Sequence, residues 1–560
     1  MTQPYRPDAA LSARWLLDVL DAPATWRELS ALAEHADADL TRQVLEEAAT
    51  FVHEVVAPLN RVGDETGARW HDGAVTMPPG FRDAYQAFWR AGWPALSAPP
   101  ALGGQGLPVA LEFVLYEWLS AANHGWTMAP GLLHGAVECL RHHASPALQA
   151  RYLPQLVSGE WLATMALTEP HAGSDLGLVR TRATPAGDDG YRIEGTKIFI
   201  SGGEHDLTDN IVHLVLARLP DAPPGPKGLS LLLAPKWLPD GRRNAIVCER
   251  IEAKMGLHAS PTCVLRFDGA EGWLVGAPHQ GLAAMFVMMN AARLHVALQG
   301  IGLLDAAWQK AHAYAHERRQ MRAPQRRDPA QAADPIIDHP AVQRLLDTQR
   351  AWIDTGRLLA YRTALALDVA HHHPDGARRQ AAQRWCALIT PVLKAAWTEQ
   401  AFHGASDCLQ VFGGHGYVRE WGIEQIVRDA RVTMIYEGTN EIQAQDLLLR
   451  KTLPDGGAAL AALLRELQAD APADAAWHAG AQRLHALLTR LAAADEAQRL
   501  ALWPVAGDFL RAVALTLMGW ARARLGRHDA AWDSEVGAAF DRWVWPEQAW
   551  RCEMVERALG

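Results

Sequence analysis

The first residues whose types and spacing could do chemistry lie in the stretch MALTEPHAGSD, residues 165–175. An apolar strand pattern here runs into a polar loop. The hydroxyl of Thr168 and the neighbouring backbone amides could hydrogen-bond the edge of a planar heterocycle. Gly173 lacks a Cβ atom, so a flat ligand could approach its backbone closely. The alternative is an ordinary turn after a strand, with Ser174 or Asp175 capping the next segment.

A single acid marks the second candidate site. In RDARVTMIYEGTNEIQ, residues 428–443, Glu437 stands between Tyr436 and Gly438 at the junction of two helical segments. An acid beside a glycine at such a junction can face a cavity and move enough to act as a general base. The alternative is a helix N-cap or a surface ion pair, which is the more common role of a lone glutamate. Three further stretches stand out, namely GTKIFISG at 195–202, KMGLHASPT at 254–262 and QVFGGHGY at 410–417.

Composition and charge weigh against several classes of protein. The 560 residues, of which 49% are hydrophobic and 21% charged, predict three or four globular domains. A net charge of −10 disfavours a protein that coats nucleic acid, because such binding depends on neutralising phosphates. The six cysteines form no CxxC pair, so we expect no zinc knuckle and no disulfide framework. We also expect no metal site.

The sequence pattern predicts neither a membrane span nor a secretory signal. No uncharged apolar run reaches the roughly 18–20 residues that span a bilayer, and the best candidate, 281–292, is ended by Arg293. Residues 1–11 show no basic start followed by an apolar core, so no secretory signal is expected. We therefore expect a cytoplasmic protein without an integral membrane segment.

The order of the predicted elements indicates the fold class. Residues 1–160 carry helical periodicity, for example over 40–56. From 161 to 275, short segments rich in β-branched residues alternate with glycine, proline and aspartate turns, which predicts an antiparallel barrel or sandwich. This order excludes Rossmann and TIM-barrel folds, in which strands and helices alternate. Strands are predicted at 163–167, 191–200, 211–217, 228–234, 245–248 and 263–267.

Long helical patterns return after the β region. Helices predicted over 283–322, 341–371, 376–409 and 422–431 are most economically arranged as an antiparallel four-helix bundle. The stretch LPDGG at 453–457 precedes a further helical region. The predicted class is α+β, mostly α. The predicted domains are an N-terminal helical domain (1–160), a central antiparallel β domain (161–275), a C-terminal four-helix bundle with Glu437 (276–452) and an additional C-terminal helical domain (453–560).

Four of these stretches together resemble signatures of the acyl-CoA dehydrogenase family. TEPHAGSD, KMGLHASPT, QVFGGHGY and IYEGTNEIQ occur in the family's order and at its usual separations, within a likeness that runs from about residue 40 to about 452. Residues 288–322 and the extra C-terminal helices resemble the branch that includes the 3-methylmercaptopropionyl-CoA dehydrogenases. The resemblance implies FAD-dependent α,β-dehydrogenation of an acyl-CoA thioester, with FAD between the β domain and the four-helix bundle.

The resemblance also implies roles for individual residues. Glu437 corresponds to the base that removes the α-proton, while flavin N5 accepts the β-hydride. Phe199 stands where many relatives have Trp, Ser201 where Thr is usual, and Met321-Arg322 where relatives continue with Phe-Gly. The implied FAD-binding residues are Met165, Ala166, Leu167, Thr168, Ser174, Phe199, Ile200, Ser201, Arg318, Gln320, Gln410, Val411, Phe412, Gly413, Gly414, Thr439, Asn440 and Glu441. The implied substrate-binding residues are Ser174, Asn290, Arg293 and Gly438, with a helix salt bridge as the alternative role of Arg293.

Partners follow from the same resemblance. The segments around Arg318 and Gln410 correspond to ones that reach the FAD of a neighbouring subunit, which implies a homodimer or homotetramer. An electron-transfer flavoprotein is the implied electron acceptor. An acyl-CoA oxidase on the same fold is one alternative. A flavoprotein that binds nucleic acid or another partner, with vestigial activity, is the other, although residues 455–560 contain no lysine and balance their arginines with acids.

Overall fold

The computed structural model describes residues 4–187, 189–470 and 474–560, and the chain forms two compact units. The first unit combines Met1–His53, Pro108–Ala122 and Val296–Gly560, and the second combines Glu54–Leu107 and Asn123–His295. A helical, a β and a second helical region follow one another along the chain, with further helices after residue 452. The predicted fold class is therefore confirmed, while the four domain boundaries stay a prediction.

The α-helices are numbered in chain order, leaving aside short 3-10 and π turns. They are α1 (Ala9–Arg14), α2 (Ala22–Arg27), α3 (Ala38–Phe51), α4 (Leu59–Thr66), α5 (Phe81–Arg90), α6 (Val109–Ala122), α7 (His124–Thr127), α8 (Leu133–His143), α9 (Pro146–Ser158), α10 (Gly281–Glu317), α11 (Pro340–His372), α12 (Gly376–Phe412), α13 (Gly414–Tyr417), α14 (Ile423–Arg431), α15 (Asn440–Gln445), α16 (Ala458–Asp470), α17 (Ala475–Ala492), α18 (Glu496–Ala501), α19 (Ala506–His528), α20 (Ala530–Trp532) and α21 (Pro546–Leu559).

Two helix ends differ from the sequence prediction. The helix predicted over 40–56 is α-helical to Phe51 and continues as a π turn, Val52–Val56. The helix predicted over 283–322 ends at Glu317. Beyond it the backbone pairs with the connection that follows, because Ile336 N donates to Arg318 O at 2.8 Å and Gln320 N donates to Asp334 O at 3.1 Å.

The second unit contains all of the described strands. They are β1 (Arg69–His71), β2 (Ala74–Thr76), β3 (Leu162–Ala166), β4 (Arg182–Ala186), β5 (Gly190–Ser201), β6 (Ile211–Arg218), β7 (Leu229–Pro235), β8 (Ile246–Ile251) and β9 (Thr262–Val275). β1 and β2 form a hairpin, and the other strands form a seven-stranded sheet in the order β3-β6-β4-β5-β9-β7, with β8 also on β9. Because β6 also pairs with β7, the sheet closes as a barrel.

The sheet departs from the predicted antiparallel arrangement at two pairings, both of them on β6. β4 meets β6 in parallel, with Arg182 opposite Arg218. β3 runs parallel to β6, with Leu162 opposite Ile211 and Ala166 opposite Val215. Parallel neighbours need a crossover connection, and here β4 and β5 supply it in place of a helix. β4 escaped prediction because its five residues, RATPA, include Pro185 and only one fully buried side chain. Inside the barrel, Ile193, Val215 and Phe267 belong to one buried core.

A buried ion cluster joins helices of the first unit. Arg357 on α11 donates from Nε to Glu117 Oε1 at 2.6 Å and from Nη2 to Asp305 Oδ2 at 2.9 Å. Tyr361 OH donates to Glu117 Oε2 at 3.1 Å, and Tyr5 OH donates to Asp305 Oδ2 at 2.8 Å. The cluster therefore ties α6, α10, α11 and the N-terminal segment together, with the charges of Glu117 and Arg357 compensated inside the protein.

One helix of the described chain, α10, is long and apolar enough to cross a membrane by length and composition alone. Its most apolar window is 67% buried inside the protein. Core helices of globular proteins pass the same test. The helix is thus accounted for by packing within the fold.

The ion cluster predicts a large loss of stability when its only arginine is removed. We expect Arg357→Met to lower the free energy of unfolding by about 3–5 kcal/mol, because it leaves Glu117 and Asp305 buried without a cation. Thermal unfolding measured by circular dichroism checks this. Arg557→Met is the control, since Arg557 pairs with Glu553 at an exposed site and should change stability by less than about 1 kcal/mol. Equal unfolding midpoints for the two variants would contradict the expectation.

Candidate active site

The predicted base lies in a strained turn of the first unit. Glu437 has a φ of 55° and Gly438 a φ of 87°, so two successive residues adopt the left-handed conformation. This conformation costs on the order of 1 kcal/mol or more for a residue with a side chain, and it persists only where neighbouring contacts enforce it. The turn connects the 3-10 turn Val432–Met434 to α15. Thr439 caps α15, since its Oγ1 accepts from Ile442 N at 3.3 Å.

Side chains from α12 and α15 hold this turn. The Nζ of Lys394 donates to Gly438 O at 2.8 Å and to Asn440 Oδ1 at 3.0 Å. Gln443 Nε2 donates to Glu437 O at 3.2 Å. Lys394 and Gln443 are both fully buried. Neither residue was predicted from the sequence, although a lysine in the apolar run LITPVLKAAW was a signal.

The neighbour of the predicted base reaches α10. Tyr436 OH donates to Gln299 Oε1 at 2.5 Å. Burial, followed by the nearby charges of Glu437 and Asp429, raises the pKa of Tyr436 well above its usual value. The phenol therefore stays neutral and available as a hydrogen-bond donor at physiological pH.

A second group of predicted residues lies at one end of the barrel in the second unit. Thr168 follows β3, and its carbonyl accepts from Ile198 N in β5 at 2.9 Å. Near the end of β5, Phe199 has a φ of 58°, and the residue is 61% exposed. The structure thus brings the loop after β3 and the end of β5 together.

A buried acid organises this loop. Glu169 Oε1 accepts from Thr181 N at 2.9 Å and from Thr181 Oγ1 at 2.6 Å, and Oε2 accepts from Arg180 N at 2.7 Å. The fully buried Lys197 donates to Glu169 Oε1 and to Leu167 O, each at 2.9 Å. Burial opposes ionisation of Glu169, but Lys197 and these donors outweigh it and hold its pKa below the usual value. Sequence reasoning missed Lys197.

Two of the FAD-contact segments predicted in the first unit, around Arg318 and around Gln410, lie close together. The Tyr314 ring stacks on Phe412 at 4.2 Å between centroids, and Tyr314 OH lies 2.8 Å from His415 Nδ1. This contact places the end of α10, just before Arg318, beside the end of α12. Val411 and Phe412 are buried, whereas the exposed members are Arg318, Gln320, Gln410, Gly413 and Gly414.

The remaining predicted residues have these places. Arg293 is 8% exposed, donates from Nη1 to Asn290 Oδ1 at 3.3 Å and lies 6.0 Å from the Phe286 ring centroid. Ser174 and Glu441 are exposed. Met165, Ala166 and Ile200 are buried, and Leu167, Thr168, Ser201, Thr439, Asn440 and Gly438 are partly buried.

Several of the predicted residues fit a flavin. A Cβ built on Gly173, Gly413 or Gly414 would meet nothing within 4 Å, so a ligand can approach these backbones closely. A flat ligand would also cover the exposed Phe199 ring, and Thr168 offers a hydroxyl to a polar ring edge. Among residues 4–187, 189–470 and 474–560, no group of three or more His, Cys, Asp or Glu side chains is placed to hold a metal ion.

Comparison with known proteins identifies the family. Three family models match consecutive parts of the chain: the acyl-CoA dehydrogenase N-terminal domain at 39–160, the middle domain at 164–270 and the C-terminal domain at 279–451. The chain is 44% identical over 451 residues to 3-methylmercaptopropionyl-CoA dehydrogenase of Ruegeria pomeroyi, covering 79% of this chain and 76% of that protein. It is 37% identical to the broad-specificity linear acyl-CoA dehydrogenase FadE5 of Mycobacterium tuberculosis, covering 77% and 73% of the two chains.

Solved structures agree on the fold. The Caenorhabditis elegans protein ACDH-11 in complex with C11-CoA superimposes with a TM-score of 0.78 at 20% identity, covering 98% of this chain and 94% of that one. An acyl-CoA dehydrogenase from Bacillus anthracis complexed with FAD gives a TM-score of 0.76 at 19% identity, covering 98% and 92%. Together with the family models, these likenesses show that the chain belongs to the acyl-CoA dehydrogenase family, as an FAD-dependent oxidoreductase that dehydrogenates an acyl-CoA.

Proposed function

We propose that Glu437 is the base that removes the α-proton from the bound acyl-CoA thioester. The observation that carries this assignment is the strained left-handed turn at Glu437 and Gly438, which is held by buried donors on two helices. Strain of this kind is retained where it serves a function. When bound, FAD supplies the acceptor for the hydride that leaves the β-carbon.

The same turn is proposed to stabilise the charge that develops on the substrate. A thioester α-proton is weakly acidic, so removing it requires hydrogen bonds to the carbonyl oxygen of the enolate. We assign one of these donors to the backbone amide of Glu437 and place Gly438 against the substrate. Asn290, Arg293 and Ser174 complete the proposed substrate contacts.

The proposed FAD contacts form three groups. In the second unit the contacts are Met165–Thr168, Ser174 and Phe199–Ser201, with the Phe199 ring against the flavin. In the first unit they are Thr439, Asn440 and Glu441. Arg318, Gln320, Gln410, Val411, Phe412, Gly413 and Gly414 are proposed to reach the FAD of a neighbouring copy. The enzyme is then a homodimer or homotetramer.

The proposed physiological setting follows the family. Electrons pass to an electron-transfer flavoprotein, and the protein works in the cytoplasm. The R. pomeroyi relative is named for 3-methylmercaptopropionyl-CoA, and the M. tuberculosis relative for linear acyl-CoAs. Both substrate types therefore belong in the first assay series.

The base assignment predicts a specific loss in one variant. Glu437→Gln should bind FAD normally but fail to bleach the flavin when acyl-CoA is added anaerobically, because an amide cannot take the α-proton. Stopped-flow absorbance with butyryl-CoA to palmitoyl-CoA and with 3-methylmercaptopropionyl-CoA measures this. Glu420→Gln, at an exposed site in the same unit, should bleach at the normal rate. Normal bleaching by Glu437→Gln would remove Glu437 from the mechanism.

The buried pair Lys197–Glu169 predicts a change in cofactor affinity. Lys197→Met leaves Glu169 buried without its cation and frees Leu167 O, so the loop that is proposed to contact FAD should lose its shape. We expect the dissociation constant for FAD to rise by roughly tenfold or more, equivalent to about 1.4 kcal/mol per factor of ten. Quenching of FAD fluorescence by apoprotein measures it. Lys227→Met, on the exposed surface of the same unit, is the control, and an equal affinity in both variants would refute the expectation.

The shared-cofactor proposal predicts the mass in solution. Light scattering should give a multiple of the 61.3 kDa chain mass. Tyr417→Glu should lower both the mass and the bound FAD, because Tyr417 is 87% exposed beside the proposed shared segment and a charge there opposes an apolar contact. Leu500→Glu, a change at another exposed apolar site (65% exposed) after residue 452, is the comparison. A monomer that retains FAD would contradict the proposal.

A further inference from the structure

Lys394 is an unusual residue for the middle of a bundle helix. It lies on α12 and is 0% exposed, among neighbours that include the buried Leu393, Ala395 and Trp397. Burying an ammonium group costs several kcal/mol or more unless hydrogen bonds and charges compensate it. An apolar side chain of similar length would pack here without that cost. We therefore expect the charge or the hydrogen-bond donors of Lys394 to serve a function.

Two hydrogen bonds of Lys394 reach the turn that carries Glu437. Its Nζ donates to Gly438 O at 2.8 Å and to Asn440 Oδ1 at 3.0 Å, so it bonds to the residues before and after Thr439. Charge-assisted bonds of this length are roughly twice as strong as neutral ones. Gln443 Nε2 reaches the same Gly438 carbonyl at 3.4 Å, which is a weaker contact.

Two further groups of α12, the Ala395 carbonyl and the Thr398 hydroxyl, lie close to Asn440. Asn440 Nδ2 donates to Ala395 O at 3.1 Å, and Thr398 Oγ1, which donates to Lys394 O at 2.7 Å, lies 3.1 Å from Asn440 Oδ1. Thr398 is 0% exposed. Residues 394 and 395 therefore bond directly to Gly438 and Asn440. A change of the left-handed backbone at Glu437 and Gly438 would break bonds to buried groups.

We propose that Lys394 is a positioning residue for catalysis, which fixes the direction of the Glu437 side chain by holding the carbonyl of Gly438. The inference rests on the proposed role of Glu437 as the base. Proton abstraction requires the carboxylate within hydrogen-bond reach of the α-carbon proton. A displacement of about 1 Å can lower a rate by roughly 100-fold. Lys394 thus acts through Glu437 and makes no contact with substrate in this proposal.

The test is Lys394→Met in the full-length protein, with three readouts. The first is FAD bound per chain, the second is the thermal midpoint of the apoprotein, and the third is the anaerobic bleaching rate as a function of acyl-CoA concentration. We expect the saturating rate to fall at least tenfold, while the concentration for half-maximal rate changes less than about threefold and FAD content is unchanged. A general packing defect would lower FAD content and substrate affinity together, so the split separates positioning from stability.

Lys451→Met is the matched control. Lys451 also donates to a main-chain carbonyl of α12, Ala387 O at 2.6 Å, but pairs with Asp446 instead of the Glu437 turn. Its bleaching kinetics should equal those of the unmodified enzyme. If Lys394→Met fails to fold, Lys394→Gln decides, because its shorter, neutral amide keeps a polar group at this position but loses the ammonium bonds to Gly438 O and Asn440 Oδ1: a slower saturating rate supports the proposal and an unchanged rate overturns it.

Glu437→Gln measured in parallel separates the two assignments. If Glu437→Gln bleaches normally, the base is wrong and the positioning role falls with it. If Glu437→Gln is inactive while Lys394→Met bleaches at the normal saturating rate, only the positioning role is overturned. A loss in Lys394→Met that is matched by Lys451→Met also overturns it.

Discussion

A buried ammonium group that bonds a main-chain carbonyl is the interaction on which both candidate site loops depend. In the second unit Lys197 bonds Leu167 O, and in the first unit Lys394 bonds Gly438 O. Both lysines are 0% exposed. Loop backbone has no regular ladder to fix it, so a buried cation with several donors gives it a single shape. If the loop shifted, the buried ammonium would lose its acceptors, and this energetic penalty restrains the loop.

The sequence predicted the elements well where periodicity was strong and poorly where stability comes from distant contacts. The strands predicted at 211–217 and 191–200 match β6 and β5 closely, because their residues are bulky and β-branched. β4 was missed because its sequence carries little apolar pattern, and its place in the sheet is set by pairing with β5. The end of α10 at Glu317 was missed because the following backbone pairs with residues 334 and 336, which local pattern cannot reveal.

The candidate site shows the same division. Motifs identified the residues that are proposed to face ligands, such as Thr168 and Glu437, because these stand in recognisable loops. The residues that hold those loops, Glu169 with Lys197 and Lys394 with Gln443, are separated by 28 and 49 positions along the chain. Lys197 reaches Glu169 because β5 lies beside the end of β3. Lys394 and Gln443 reach the same turn because α12 lies beside α15, so only the fold brings these residues together.

One of the helices after residue 452, α19, packs against α11, α12 and α15. Arg511 on α19 lies 4.1 Å over the Trp352 ring of α11, and its Nη2 donates to Gln400 Oε1 of α12 at 3.2 Å. Arg362 on α11 is sandwiched between Trp385 and Trp520 at 4.4 and 4.6 Å. Arginine–tryptophan stacking is strong when it is desolvated, which gives part of the high tryptophan content a structural role. α15, against which α19 also packs, is the helix that follows the Glu437 turn, so the added helices help to hold the elements that support this turn.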